Sequence, residues 1–180
     1  MPLYNRFQRN LLTHSLMLTI RAATIADSAL LRRLIWELAE FEKAPDQVRN
    51  TEADIARDGF GANPQFRALI AEWHGQPAGF ALTFNYYSTW RGAGLYLEDL
   101  FVRPDFRGRG IGTALFARVA RTAEQENRSF IKWAVLDWNQ PAIEMYEALG
   151  AEFLDDWQSA LLEGDGLRKL AEKASAEKDS

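Results

Sequence analysis

Residues Tyr96–Gly112, YLEDLFVRPDFRGRGIG, decide how the rest of the chain is read. The run Leu95–Val102 is apolar except for two adjacent acids, Glu98 and Asp99. Such a run fits a strand buried on both faces, and buried carboxylates are costly unless something uses them. The following ten residues hold Arg103, Arg107 and Arg109 together with Gly108, Gly110 and Gly112, and a helical pattern starts at Ile111. Glycines let backbone N–H groups approach a ligand closely. A helix N-terminus adds unpaired donors and a partial positive charge. Strand, basic glycine turn and helix together form a seat for a phosphorylated ligand beside a carboxylate pair.

The whole chain limits what that seat can serve. With 180 residues and 47% hydrophobic content, one domain with a substantial core is expected. The net charge of −4 gives no nucleic-acid footprint. Cysteine is absent, which excludes disulfides and thiol catalysis and points to a reducing, cytoplasmic setting. No apolar run approaches the roughly 20 residues of a membrane span. His14 and His74 stand apart, so no metal site is expected.

Outward from the central stretch, the elements follow from periodicity. Residues 1–16 carry Arg6 and Arg9 but no acid; they are expected to be a flexible arm, or to precede a functional start at Met17. Leu18–Ala22 reads as a strand. Thr24 or Asp27 caps a helix with apolar Leu30, Leu31, Leu34, Ile35, Leu38 and Phe41. Glu37, Glu40 and Glu42 crowd its last turn, as a solvated face or as an acidic rim for a cation. Thr51 and Asp54 mark a second, short helix. Two strands, Arg67–Trp73 and Ala78–Tyr87, are joined by a hairpin, and a polar loop holds Trp90. Past the helix from Ile111 to Gln125 come a strand at Ser129–Leu136, a helix ending at Gly150, and one or two strands within Phe153–Leu162. The order β-α-α-β-β-β-α-β-α-β predicts an α/β (α+β) domain over 17–166 with a largely antiparallel sheet, followed by a charged helix and tail over 167–180.

The glycine turn fits neither common nucleotide fingerprint. A dinucleotide turn follows the first strand of a βαβ unit, and the triphosphate loop needs Lys-Ser/Thr after its last glycine. Here the turn follows the fourth strand and runs into Ile111-Gly112-Thr113-Ala114. Arg107-x-x-Gly110-x-Gly112 after an apolar strand, then Asp137-Trp138-Asn139-x-Pro141, with Tyr146 five residues on and Gly150 four further, resembles the GNAT superfamily of acetyl-CoA-dependent N-acetyltransferases. Leu38–Glu42, Asp58–Gly61, Leu95–Asp99, Arg107–Gly112 and Trp138–Pro141 are similar to the diamine (spermidine/spermine) and thialysine N-acetyltransferase branch. The similarity runs in order over roughly residues 18 to 163.

That resemblance implies a mixed, mostly antiparallel sheet of about six or seven strands, splayed between strands 4 and 5 and flanked by helices. It implies acetyl-CoA as co-substrate and no metal. The pantetheine arm is expected along the backbone of Leu100, Phe101 and Val102. The pyrophosphate is expected on the amides of Arg107, Gly108, Arg109, Gly110, Ile111 and Gly112, with Asn139 on the pantetheine side. Tyr146 then protonates the departing thiolate; periodicity alone equally allows a packed tyrosine. An alkylammonium near pKa 10.4 must lose a proton before it attacks. Glu98 is the preferred base, while strand alternation sends Asp99 to the opposite face. An ion pair with one of the arginines is the other reading of both acids. Phe41, Glu42, Trp90, Glu98, Asp99 and Asp155 are the substrate contacts the resemblance implies.

Two departures matter. Ser88 stands where polyamine enzymes have an acid, and Phe41 replaces a tyrosine, so a diamine or lysine-like acceptor is expected over a longer polyamine. The resemblance also implies a homodimer. A protein or peptide amine as acceptor, and a non-catalytic CoA-binding module, are the competing readings.

Overall fold

The computed structural model describes residues 17–154 and 156–176, in two compact units, one up to Leu136 and one from Asp137. The first unit holds β1 (Leu18–Ala22), α1 (Ser28–Phe41), α2 (Glu52–Phe60), β2 (Arg67–Trp73), β3 (Gln76–Ser88), β4 (Gly92–Val102), α3 (Ile111–Gln125) and β5 (Ile131–Lys132). The second holds α4 (Gln140–Ala148) and α5 (Gly164–Ala176). The expected arm over 1–16 and the last residues of the tail lie outside the described residues.

Local chemistry sets the boundaries. Thr51 and Asp54 form a reciprocal capping box that starts α2. Asp27 closes a similar box with Thr24 ahead of α1 and is gripped by Arg21, which also reaches Glu72. Trp73 pairs with Gln76 across His74-Gly75, both at positive φ, so β2 and β3 meet in a two-residue hairpin.

The sheet order is β1-β2-β3-β4-β5, antiparallel except for the parallel β4–β5 pair. Each face has its own core. Leu31, Leu34 and Leu38 of α1 and Ile55 of α2 bury Ile70, Phe80, Leu82 and Phe101 on one face. Ile111, Leu115, Val119 and Ala123, four residues apart along α3, bury Ala81, Leu95 and Leu97 on the other.

Register decides the middle of β4. Leu82 pairs with Asp99 but Thr83 pairs with Leu97, leaving Glu98 as an extra, bulged residue. A bulge reverses alternation: Leu95 and Leu97 face α3, and beyond it so do Leu100 and Val102. Asp99 therefore joins Tyr96 and Phe101 on the α1–α2 face, the opposite of what unbroken alternation predicts.

Five strands are present among the described residues, fewer than the six or seven expected. The Ser129–Leu136 strand shrinks to Ile131–Lys132, because the parallel ladder stops at the Tyr96–Lys132 pair. Trp133 instead packs edge-on against Phe116 of α3, ring centroids 5.0 Å apart. Among the described residues, the apolar side chains between Phe153 and Leu162 belong to no strand. Apolar content suits a strand, but only a neighbour supplies ladder hydrogen bonds. Among the described residues no helix is long and apolar enough to cross a membrane.

Candidate active site

Past Tyr96, the edge of β4 that faced β5 has no further strand pairing among the described residues. Leu100, Phe101 and Val102 thus offer an open backbone edge at the sheet's splay. The chain then passes through a 3₁₀ turn at Pro104–Phe106 into the glycine turn. Gly108 and Gly110 both have φ +72°, and an added Cβ on either would meet no atom within 4 Å. Gly110 caps α3, and the first intrahelical bond runs from the Ala114 N–H to its carbonyl. The amides of Ile111, Gly112 and Thr113 precede that ladder and point out of the helix end. Positive-φ glycines with open space above them, helix-end donors and two arginines suit a pyrophosphate.

The arginines are held in place. Arg107 donates from Nε to the Val102 carbonyl at 2.9 Å, with its guanidinium 4.5 Å from the Phe41 ring centroid and 6.0 Å from that of Phe101. Arg109 lies over the Trp73 and Phe106 rings. Stacked guanidinium groups keep their charge at the turn without neutralising it.

Three acids gather on the α1–α2 face. Glu98 is exposed in the bulge. Asp99 is only partly exposed, and its carboxyl is recessed in protein: burial, then the Glu98 and Glu42 charges, push its pKa up to about 7. Glu42 follows α1; it is an exposed residue, yet protein crowds its carboxyl and raises its pKa. Burial and the Glu98 charge also raise Tyr96, whose ring stacks on Phe84 at 5.1 Å. Neither β4 acid has a recorded ion pair among the described residues. Arg103, the nearest arginine in sequence, pairs through two nitrogens with Glu37. The ion-pair reading of Glu98 and Asp99 is thus not realised.

In the second unit, Asn139 is the N-cap residue of α4, with Pro141 in the first turn. Tyr146, 5% exposed, is the buried residue of that helix, and burial pushes its phenol up to about 12. Trp90, at the β3–β4 hairpin, is 83% exposed. Ser88 accepts the Trp90 and Arg91 backbone N–H groups, so it serves the turn. Asp155 lies outside the described residues.

The Acetyltransferase (GNAT) family model matches residues 30–151. The chain is a GNAT-family N-acetyltransferase. It is 42% identical over 165 residues to thialysine N-epsilon-acetyltransferase of Sus scrofa, covering 86% of this chain and 97% of that protein. Spermidine/spermine N(1)-acetyltransferase-like protein 1 of Homo sapiens is 39% identical over 139 residues, 73% of this chain and 20% of that one. Among solved structures, an integron cassette protein from V. cholerae superposes with TM-score 0.71 at 26% identity, covering 86% of this chain and 98% of that one.

Three features of this GNAT enzyme escaped the sequence reading. In sequence Glu37 is one acid of an acidic helix end, whereas its bidentate pair with Arg103 ties α1 to the end of β4. Phe41, a substrate contact by resemblance, is in addition the platform under Arg107. The bulge at Glu98 left no trace beyond two adjacent acids in an apolar strand.

Proposed function

We propose that the enzyme transfers the acetyl group of acetyl-CoA to a primary amine of a small diamine, polyamine or lysine-like molecule, by direct attack with both substrates bound. The observation that carries this reading is the meeting of Glu42, Glu98 and Asp99 on one sheet face, at the level where the β4 edge opens toward the glycine turn. Carboxylates without cationic partners attract an ammonium ion; the aromatic Tyr96 and Phe84 beside them suit its alkyl chain. Acetyl-CoA supplies an activated thioester.

The chain's own residues do the rest. The amides from Arg107 to Gly112 hold the pyrophosphate, Leu100–Val102 pair with the pantetheine arm, and Asn139 contacts the same arm. A β4 carboxylate takes the ammonium proton, freeing the lone pair for attack. Tyr146 donates its phenolic proton to the departing sulfur. With no cysteine in the chain, an acyl-thiol enzyme is not open to it. Phe41, Glu42, Trp90 and Asp155 contact the acceptor. With Ser88 serving its own turn, no acid stands there to meet a distant second ammonium, which favours a short acceptor.

The catalytic domain runs over 17–166, with 167–180 as a charged extension. A homodimer in the cytoplasm is the proposed working form, a setting consistent with a cysteine-free chain. Thiol release measured with acetyl-CoA and a panel of diamines, thialysine, lysine, polyamines and peptides tests the proposal. Short diamines or lysine-like amines are expected to give the highest kcat/KM. Acetyl-CoA binding with no amine-dependent thiol release overturns it.

A further inference from the structure

The sequence prefers Glu98 as the proton acceptor, but the bulge separates the two acids in a way that reverses the preference. Glu98 is the unpaired, exposed residue of the bulge. Asp99 keeps its place in the ladder opposite Leu82, one residue before the open edge at Leu100. Besides Glu98 and Glu42, its face neighbours are apolar or aromatic: Leu82 across the ladder, Phe101 two residues on, and the stacked Phe84–Tyr96 pair behind. Among the described residues no hydrogen bond or ion pair to its carboxyl is recorded, and no fully buried side-chain oxygen or nitrogen lacks a partner. The Asp99 oxygens are therefore recessed, unpartnered and within reach of a ligand.

We infer that Asp99, not Glu98, accepts the proton from the substrate ammonium, and that Glu98 is a positioning residue that shapes the bulge and acts on Asp99 through its charge. This rests on the acetyl-transfer reading above. The step balances simply. An Asp99 carboxylate oxygen takes one proton from the ammonium nitrogen, and the neutral nitrogen forms the new C–N bond as the C–S bond breaks; Tyr146 protonates the departing sulfur, and the second nitrogen proton, lost as the amide forms, restores the Tyr146 phenol through solvent. The Asp99 proton then passes to solvent, so that ammonium and thioester give amide, thiol and one released proton.

The charge environment favours this assignment. The groups facing Asp99 are Glu98 on its own strand and Glu42 after α1, both acidic and both raising its proton affinity. Tyr96 shares the face. Among the described residues no cation acts on it, and the next arginines along the chain are engaged elsewhere: Arg103 with Glu37, and Arg107 with the Val102 carbonyl and the Phe41 ring. An acceptor near pKa 7 lies roughly three units below an alkylammonium, against more than six for an ordinary aspartate, which makes the proton transfer about a thousandfold less unfavourable.

The test is the pH profile of kcat/KM for wild type, Asp99→Asn, Asp99→Glu and Glu98→Gln, with the best amine of the panel. Thermal unfolding and acetyl-CoA titration of each variant serve as folding controls. Wild type is expected to gain activity through a single acid limb near pH 7. Asp99→Asn should lose roughly a hundredfold or more and lose the limb, while Asp99→Glu should restore the limb. Glu98→Gln should keep the limb and move it to lower pH, because a like charge has gone. The reverse pattern, with the limb lost in Glu98→Gln and kept in Asp99→Asn, overturns the assignment, as does full activity in Asp99→Asn. Wild-type protein that binds acetyl-CoA but acetylates no amine overturns the acetyl-transfer reading itself, a result that the variants cannot mimic.

Discussion

Tyr146 and Asp99 are both raised by burial, with different consequences. Near pKa 12, the Tyr146 phenol stays protonated across the working range, as the proposed donor to the departing sulfur must be. The same burial makes it a weaker acid, which confines its role to the moment when negative charge develops on sulfur. Tyr146→Phe is therefore expected to lower turnover by roughly 10²–10⁴ while acetyl-CoA affinity stays nearly constant, as measured by steady-state kinetics and titration calorimetry. An unimpaired variant removes Tyr146 from the mechanism. Asp99 bears on stability as well. Its folded pKa lies above the unfolded value, so the folded state binds the extra proton between about pH 4 and 7 and loses stability as pH rises through that window. Asp99→Asn is expected to be more stable than wild type at pH 8 by about 1–2 kcal/mol, less than the full shift implies because water reaches the group. The gain should vanish below about pH 4 in chemical denaturation. A destabilised variant at pH 8 contradicts the recessed, unpartnered carboxylate.

Among the elements, α3 was legible to its last residue: the periodicity from Ile111 to Gln125 and the preceding glycines mark both its apolar face and its start. The capping box of α2 was equally plain from Thr51 and Asp54. The bulge in β4 was not, because a bulge is a property of two strands in register and Glu98 looks like any strand residue until Leu82 and Thr83 are set against it. That single extra residue moves Asp99 from one face of the sheet to the other. The glycine turn is the complementary case, a local feature whose geometry its residue types foretell. Gly110 caps α3 at φ +72° with open space where a side chain would project. Gly110→Ala is therefore expected to cost about 1 kcal/mol in thermal stability through backbone strain alone. Its methyl group would also enter the space offered to the pyrophosphate, so acetyl-CoA affinity should fall about tenfold or more, read by calorimetry at constant salt. Unchanged affinity would move the pyrophosphate away from this turn.

At the scale of the molecule, the two-faced sheet and its flanking helices could be read from alternation and helical spacing, and the family match over 30–151 takes in all of these elements after β1 except the first two residues of α1. The one or two strands expected within Phe153–Leu162 are absent among the described residues, since a strand-like composition does not by itself supply the neighbour whose backbone completes a ladder. What the second unit presents instead is apolar surface: Trp157 is 67% exposed and Leu161 84%, with Leu154, Leu162, Leu167 and Leu170 about half exposed. So many large apolar side chains in water, close in sequence and with two of them, Leu167 and Leu170, on α5, are unusual for a protein that works alone. A second copy of the chain is the simplest cover for them. It would also offer backbone partners to the apolar residues between Phe153 and Leu162, none of which is in a strand among the described residues. Light scattering after size exclusion at micromolar concentration is expected to give the mass of a dimer. Trp157→Lys combined with Leu161→Glu places charge on the two most exposed of these residues, and it should yield a monomer that keeps its far-ultraviolet circular dichroism. A wild-type monomer, or a dimer indifferent to both charges, would leave that apolar surface with another purpose.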